Sequence, residues 1–284
     1  MPREYSSAII VDLPSRELLL ATRPLTLFAE LKYSKEGHVF DVFMDIHDNS
    51  AITAIIQDHL CLGRCLCDLP AYDVDKYLFT LTLDWRQLDH DVDVCHYTRY
   101  IAGRLDVDVD SLLPLFNFPA SAEGRLCEIS QALRARRLPP QDNGYVIIVP
   151  GFNEYAWPAK KWQEFIQWFC RRSKLPVILP VNLLTKCEVE ALGERCILKH
   201  MESIWELAWF TLNARAVFTV ESWFAHFVAM LDVPLLILGL RKDIRGFQYQ
   251  HHAIQYAIGP PIHLRSEDVL LQAVEVSQIY DLMR

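Results

Sequence analysis

The stretch that decides the fold runs Ala216-Val217-Phe218-Thr219-Val220-Glu221-Ser222-Trp223-Phe224-Ala225-His226-Phe227-Val228-Ala229 and continues through Leu231-Asp232-Val233-Pro234 to Gly239. A run of strand formers ends at a carboxylate and a hydroxyl, and an apolar helical run follows at once. The order is strand, helix cap, helix and a second strand from Pro234 to Leu238. Ser222 is a suitable N-cap, Glu221 can accept a ribose hydroxyl, and His226 falls in the following turns at the same end of the helix. The plainer reading of the same residues, a capping serine and a packed histidine, stays open on this segment alone.

Working outward, the same alternation fills the second half of the chain. Strands are expected at Tyr145–Val149, Pro176–Pro180, Cys196–Lys199, Ala216–Val220 and Pro234–Leu238, with helices in the gaps. Within Lys161–Phe169, the residues Trp162, Phe165, Ile166 and Phe169 make one apolar stripe at helical spacing, which reads as core packing. Ser266 and Glu267 open an apolar run that predicts a closing helix over Ser266–Met283. The first half repeats the scheme, with strands at Ser7–Leu13, Val39–Ile46 and Tyr77–Leu83. Helices are expected near Glu17–Leu31, Ser50–His59, Val92–Leu105 and Ala122–Leu138. Between the halves, Pro139-Pro140-Gln141-Asp142-Asn143-Gly144 is a cluster of turn formers. The alternation predicts an α/β protein with parallel sheets, in two Rossmann-like domains over residues 1–140 and 141–284.

Composition narrows the task. The 284 residues carry a formal charge of −8, which repels a polyphosphate and argues against nucleic acid as a partner. Apolar runs such as Val233–Leu240 are strand-sized, far short of the roughly 20 residues a membrane helix needs. The opening Met1-Pro2-Arg3-Glu4-Tyr5 has no basic region ahead of a long apolar stretch, so it does not read as a secretory signal. Eight cysteines, several inside apolar patterns, suit buried reduced thiols. A soluble cytoplasmic protein, with at most peripheral contact at the inner membrane face, is expected. With ten glycines the chain is Gly-poor.

A second strand-to-helix junction, Ile147-Ile148-Val149-Pro150-Gly151-Phe152-Asn153-Glu154-Tyr155-Ala156-Trp157-Pro158-Ala159-Lys160-Lys161-Trp162, ends a strand in Pro-Gly and starts a helix at Trp-Pro. Together the two junctions resemble the bacterial lipopolysaccharide heptosyltransferases and their relatives in glycosyltransferase family nine. The resemblance rests on Pro150-Gly151, Trp157-Pro158, the helix around Met201–Ala208, Glu221-Ser222-Trp223-Phe224-Ala225-His226, Pro234 and Gly239, in that order. It is specific over about 145–245 and weaker before it, where Ala8–Pro24 has the outline of the family's opening strand and helix. Trp223 stands where that family has a glycine, Glu221 and Glu17 stand where it has aspartates, and its lysine ahead of Trp-Pro is replaced.

The resemblance implies the two-domain GT-B fold, with parallel sheets facing a cleft. It implies inverting, metal-independent transfer of a sugar from a nucleotide-sugar donor, ADP-heptose-like, to a hydroxyl of a bacterial glycan or glycolipid acceptor. Glu17 would be the general base. Asn153, Glu154, Lys160, Glu221, Ser222, Trp223, His226 and Arg241 would form the donor site, with Lys242 beside Arg241. No cofactor and no metal are implied. A catalytically silent relative that keeps the shell as a binding or assembly module is the alternative.

Other constellations read more plainly. His59, Cys61, Cys65 and Cys67 supply soft ligands, but not in the two separated pairs usual for zinc. Asp106-Val107-Asp108-Val109-Asp110 follows a helix in a polar loop rather than ending a strand. Arg134-Ala135-Arg136-Arg137 is short for a lipid-binding patch and reads as a solvated helix end.

Overall fold

The computed structural model describes residues 7–13, 19, 21, 24–25, 28, 40–44, 65–66, 79–84, 94–108, 131, 144–150, 159–173, 175–180, 196–220, 222–231, 233–238 and 255–258. The chain divides into two compact units, Met1–Glu123 with Arg245–Gln250, and Gly124–Ile244 with His251–Arg284.

The first unit holds a four-stranded parallel sheet of β1 (Ser7–Asp12), β2 (Phe40–Met44), β3 (Cys65–Leu66) and β4 (Phe79–Asp84), in the order β3-β2-β1-β4. The register of β1 against β4 runs from Ser7 opposite Phe79 to Asp12 opposite Asp84. Between β1 and β2, Leu19, Ala21, Leu25 and Phe28 are helical and buried, as expected for a one-sided helix over Glu17–Leu31. Helix α1 (Val94–Arg104) buries Ile101 and Ala102 and ends in a turn. Asp106 there takes φ 53°, a left-handed conformation that Asp tolerates better than most residues. Asp106 and Asp108 thus follow a helix, as the sequence reading has it.

The second unit is built on β5 (Val146–Val149), α2 (Ala159–Ser173), β6 (Val177–Pro180), β7 (Cys196–Lys199), α3 (Ile204–Leu212), β8 (Ala216–Val220), α4 (Trp223–Met230), β9 (Leu235–Leu238) and β10 (Gln255–Ile258). All six strands are parallel, in the order β10-β9-β8-β5-β6-β7. Residues of β5, β6 and β8 are buried throughout, so these strands read as unbroken apolar runs rather than as alternating ones.

The aromatic stripe of α2 makes the core of one face. Trp162, Phe165, Ile166 and Phe169 pack with Val146 and Ile148 of β5, Val177 and Leu179 of β6, and Ala216, Phe218 and Val220 of β8. Phe218 meets Phe169 edge-on at 5.2 Å and Phe165 at 6.2 Å, the offset geometry that aromatic rings prefer. Because successive strand residues alternate faces, Val217 and Thr219 point to the side away from α2. Two strands lie outside the sequence expectation: β3, of two residues, and β10. Both sit at sheet edges, where pairing rather than an apolar pattern defines the strand. The expected helices over Ser50–His59 and Ser266–Met283 lie outside the described residues.

Candidate functional site

In a doubly wound sheet, ligands collect beyond the carboxyl ends of the strands, at the point where the chain reverses its direction of travel across the sheet. In the second unit the chain goes from β5 outward to β6 and β7, returns to β8 on the other flank of β5, and continues to β9 and β10. Counted from β5, this is the 3-2-1-4-5-6 strand order of dinucleotide-binding sheets. The reversal therefore lies between β5 and β8. The last residue of β5, Val149, is in register with Thr219, one residue before the end of β8. From those two strand ends the sequence runs into Pro150-Gly151 and Glu221-Ser222. Segments about 70 residues apart in sequence, singled out separately, leave the sheet side by side.

At β8 the exit is a capped helix. Ser222 is extended, with φ −163° and ψ 169°, and its Oγ accepts from the N–H of Ala225 at 3.4 Å. The Ser222 carbonyl accepts from the His226 N–H, also at 3.4 Å. The N-terminal N–H groups of α4 and the positive end of its dipole thus lie at the carboxyl edge of the sheet, an arrangement suited to an anion. Ser222 and Trp223 are half-buried, and the Trp223 ring lies against Phe224 and Phe227 with centroids at 5.9 and 6.2 Å. His226 is fully buried within the second turn of α4.

The other junction supplies α2, which begins at Ala159, directly after Trp157-Pro158 in the sequence. Lys160 is exposed in its first turn and Lys161 is half-buried. Glu17, Asn153, Glu154, Glu221 and Arg241 lie outside the described residues. So do His59, Cys61 and Cys67, while Cys65 is on β3. Among the described residues no group of three or more His, Cys, Asp or Glu is placed to hold a metal ion. No helix among them is long and apolar enough to cross a membrane.

Three features escaped the sequence reading. The carboxyl edge of the first sheet carries Asp12 and Asp84 on neighbouring strands at its own reversal point, between β1 and β4. A signal was present, since both strand runs end in Asp, but only the pairing makes them neighbours. Second, α3 has a capping device at the end of the helix next to β7. Ser203 Oγ accepts from the Glu206 N–H at 3.1 Å, and the Glu206 carboxylate accepts from the Glu202 N–H at 2.6 Å. The same carboxylate meets Lys199 Nζ of β7 at 2.9 Å, fastening the edge strand to the helix. Third, the Thr219 hydroxyl donates to the Val149 carbonyl at 3.1 Å, across the reversal point itself. Among the described residues Cys170 and Cys196 are free thiols. Burial, helped by neighbouring Cys170, pushes the Cys196 thiol up to about 12.

No family model matches the chain, and no curated protein does. Solved structures match over almost its full length. Escherichia coli heptosyltransferase WaaC with ADP is 15% identical, with 98% of this chain and 100% of that chain covered and a TM-score of 0.61. A glycosyl transferase family 9 protein from Veillonella parvula is 12% identical, with 98% of each chain covered and a TM-score of 0.62. The Escherichia coli ADP-heptose lps heptosyltransferase II is 12% identical, with 97% and 99% covered and a TM-score of 0.63. The chain is similar in structure to the glycosyltransferase family nine proteins, as its two junctions suggest. At these identities the likeness is one of fold: α/β with parallel sheets, consistent with GT-B neighbours.

Proposed function

We propose that this chain is a GT-B glycosyltransferase that moves a sugar from an ADP-heptose-like donor to a hydroxyl of a bacterial glycan or glycolipid, with inversion and without a metal. The single observation behind the reading is the reversal point of the second sheet. There the Pro150-Gly151 and Glu221-Ser222 exits, each chosen on sequence grounds, leave adjacent strands. The fold shared with ADP-heptose-using enzymes adds support.

In this reading residues 141–284 bind the donor and residues 1–140 present the acceptor. Glu17 takes the proton from the acceptor hydroxyl as its oxygen attacks the anomeric carbon, and the bond from that carbon to the donor diphosphate breaks. The departing diphosphate gains charge, which the N–H groups of α4, capped by Ser222, are oriented to stabilise, with His226 behind them and Lys160 and Arg241 as countercharges. Backbone donors and basic side chains of this kind serve a diphosphate leaving group without a divalent ion. Glu221 accepts from a ribose hydroxyl, Asn153 and Glu154 bind the donor from the Pro150-Gly151 side, and Trp223 borders the pocket.

Titration calorimetry with ADP-heptose and a panel of ADP-, UDP- and GDP-sugars tests this. Saturable binding with preference for ADP-sugars is expected. Absence of binding by every donor would overturn the proposal in favour of a silent relative.

A further inference from the structure

Between the two exits runs a side-chain bond that the chemistry above does not use. Thr219 is fully buried, its Oγ1 donates to the Val149 carbonyl at 3.1 Å, and the partners are 70 residues apart in sequence. Val149 is the last residue of β5, and Thr219 lies three residues before the cap of α4. The bond therefore ties together the strand ends from which both halves of the candidate donor site depart.

A second observation gives this tie its importance. The first turn of α4 is closed by long hydrogen bonds, 3.4 Å from the Ala225 N–H to Ser222 Oγ and 3.4 Å from the His226 N–H to the Ser222 carbonyl. The corresponding bonds of α3 are 3.1 Å, from the Glu206 N–H to Ser203 Oγ and from the Leu207 N–H to the Ser203 carbonyl. Where a helix start is weakly held by its own cap, its position depends more on the strand that feeds it. Here that strand is held to β5 by the backbone pairing from Val146–Ala216 to Val149–Thr219, and at the last pair, nearest α4, the Thr219 hydroxyl adds its own bond.

Resting on the donor-site reading, we infer that Thr219 is a positioning residue: its hydroxyl fixes the α4 N-terminus relative to the end of β5 and so sets the affinity for a nucleoside diphosphate. It touches no ligand. Its effect passes through the spacing of the two exits, and displacements of about 1 Å in such frames cost on the order of 100-fold in rate.

The test compares the full chain with Thr219→Val, which keeps the shape and removes the donor, and Thr219→Ser, which restores the hydroxyl. ADP affinity is read by calorimetry and amide hydrogen exchange at Phe224–His226 by mass spectrometry, with α3 as the internal reference. Thr219→Val is expected to weaken ADP binding by about 10-fold and speed exchange at the start of α4 but not in α3, with Thr219→Ser close to the parent in both. Exchange in Thr219→Val unchanged at the start of α4, or faster equally in α3, overturns the inference, as does unchanged ADP affinity. A parent chain that binds no ADP overturns the donor-site reading instead, and the exchange comparison then decides the role of Thr219 by itself.

Discussion

Ser222 and Ser203 are chemically the same cap at two helices of one sheet, and the account gives them different consequences. Replacing either with Ala removes an N-cap and is expected to cost about 1 kcal/mol, read as a lowered denaturant midpoint. Only Ser222→Ala should also weaken ADP binding, because only α4 starts at the reversal point. Equal affinity in both variants would contradict the placement of the site. Gly144 makes a second residue-scale case. It has φ +70°, and a Cβ there would lie 2.5 Å from Arg215 Nε. Gly144→Ala therefore meets both backbone strain and a flexible but close side chain, and a loss of about 1–2 kcal/mol is expected in thermal or denaturant unfolding. Cys196 links a residue to pH. Its folded thiol is raised to about 12 from an ordinary value of about 9. Its contribution is fully present below about pH 9, and is lost as pH rises toward 12 and the unfolded chain gives up a proton that the folded chain keeps. The fall in unfolding free energy between pH 8 and 10.5 should be steeper in the parent than in Cys196→Ala.

Among the elements, the strands of the second unit were the most legible. Ala216–Val220 and Cys196–Lys199 have the bounds that their apolar runs suggest, and β5, β6 and β9 begin one residue later than expected. β5, β6 and β8, buried along their whole length, must be apolar throughout, and that requirement is written locally in the sequence, whereas β7 is a half-exposed edge strand marked only by its short apolar run. The stripe of α2 was legible for the same reason, through its spacing. What pairing decides was not: the order of the strands, the edge strands β3 and β10, the meeting of Asp12 with Asp84 and the bond from Thr219 to Val149 all join distant segments. The candidate site divides in the same way. The Ser222 cap could be read from its local pattern, whereas the full burial of His226 follows from how α4 packs. At this scale the Phe218 ring, set between Phe165 and Phe169, carries the contact of β8 with α2, and Phe218→Ala is expected to cost about 3–5 kcal/mol in denaturant unfolding. Glu206→Ala, by leaving Lys199 at 15% side-chain exposure without its carboxylate, should cost about 2–3 kcal/mol and loosen β7.

For the whole molecule, the scarcity of glycine acquires a location. Glycines let a diphosphate approach a backbone closely, and here the first residue of α4 is Trp223, whose side chain stands at the proposed diphosphate position. The proposed function requires that the second sheet receive a nucleoside diphosphate at its reversal point despite that side chain. A crystal structure of the protein with ADP tests this most directly. The account predicts ADP beyond the ends of β5 and β8, its diphosphate on the N–H groups of α4 beside Ser222. ADP bound elsewhere, or no bound ADP at saturating concentration, would contradict it.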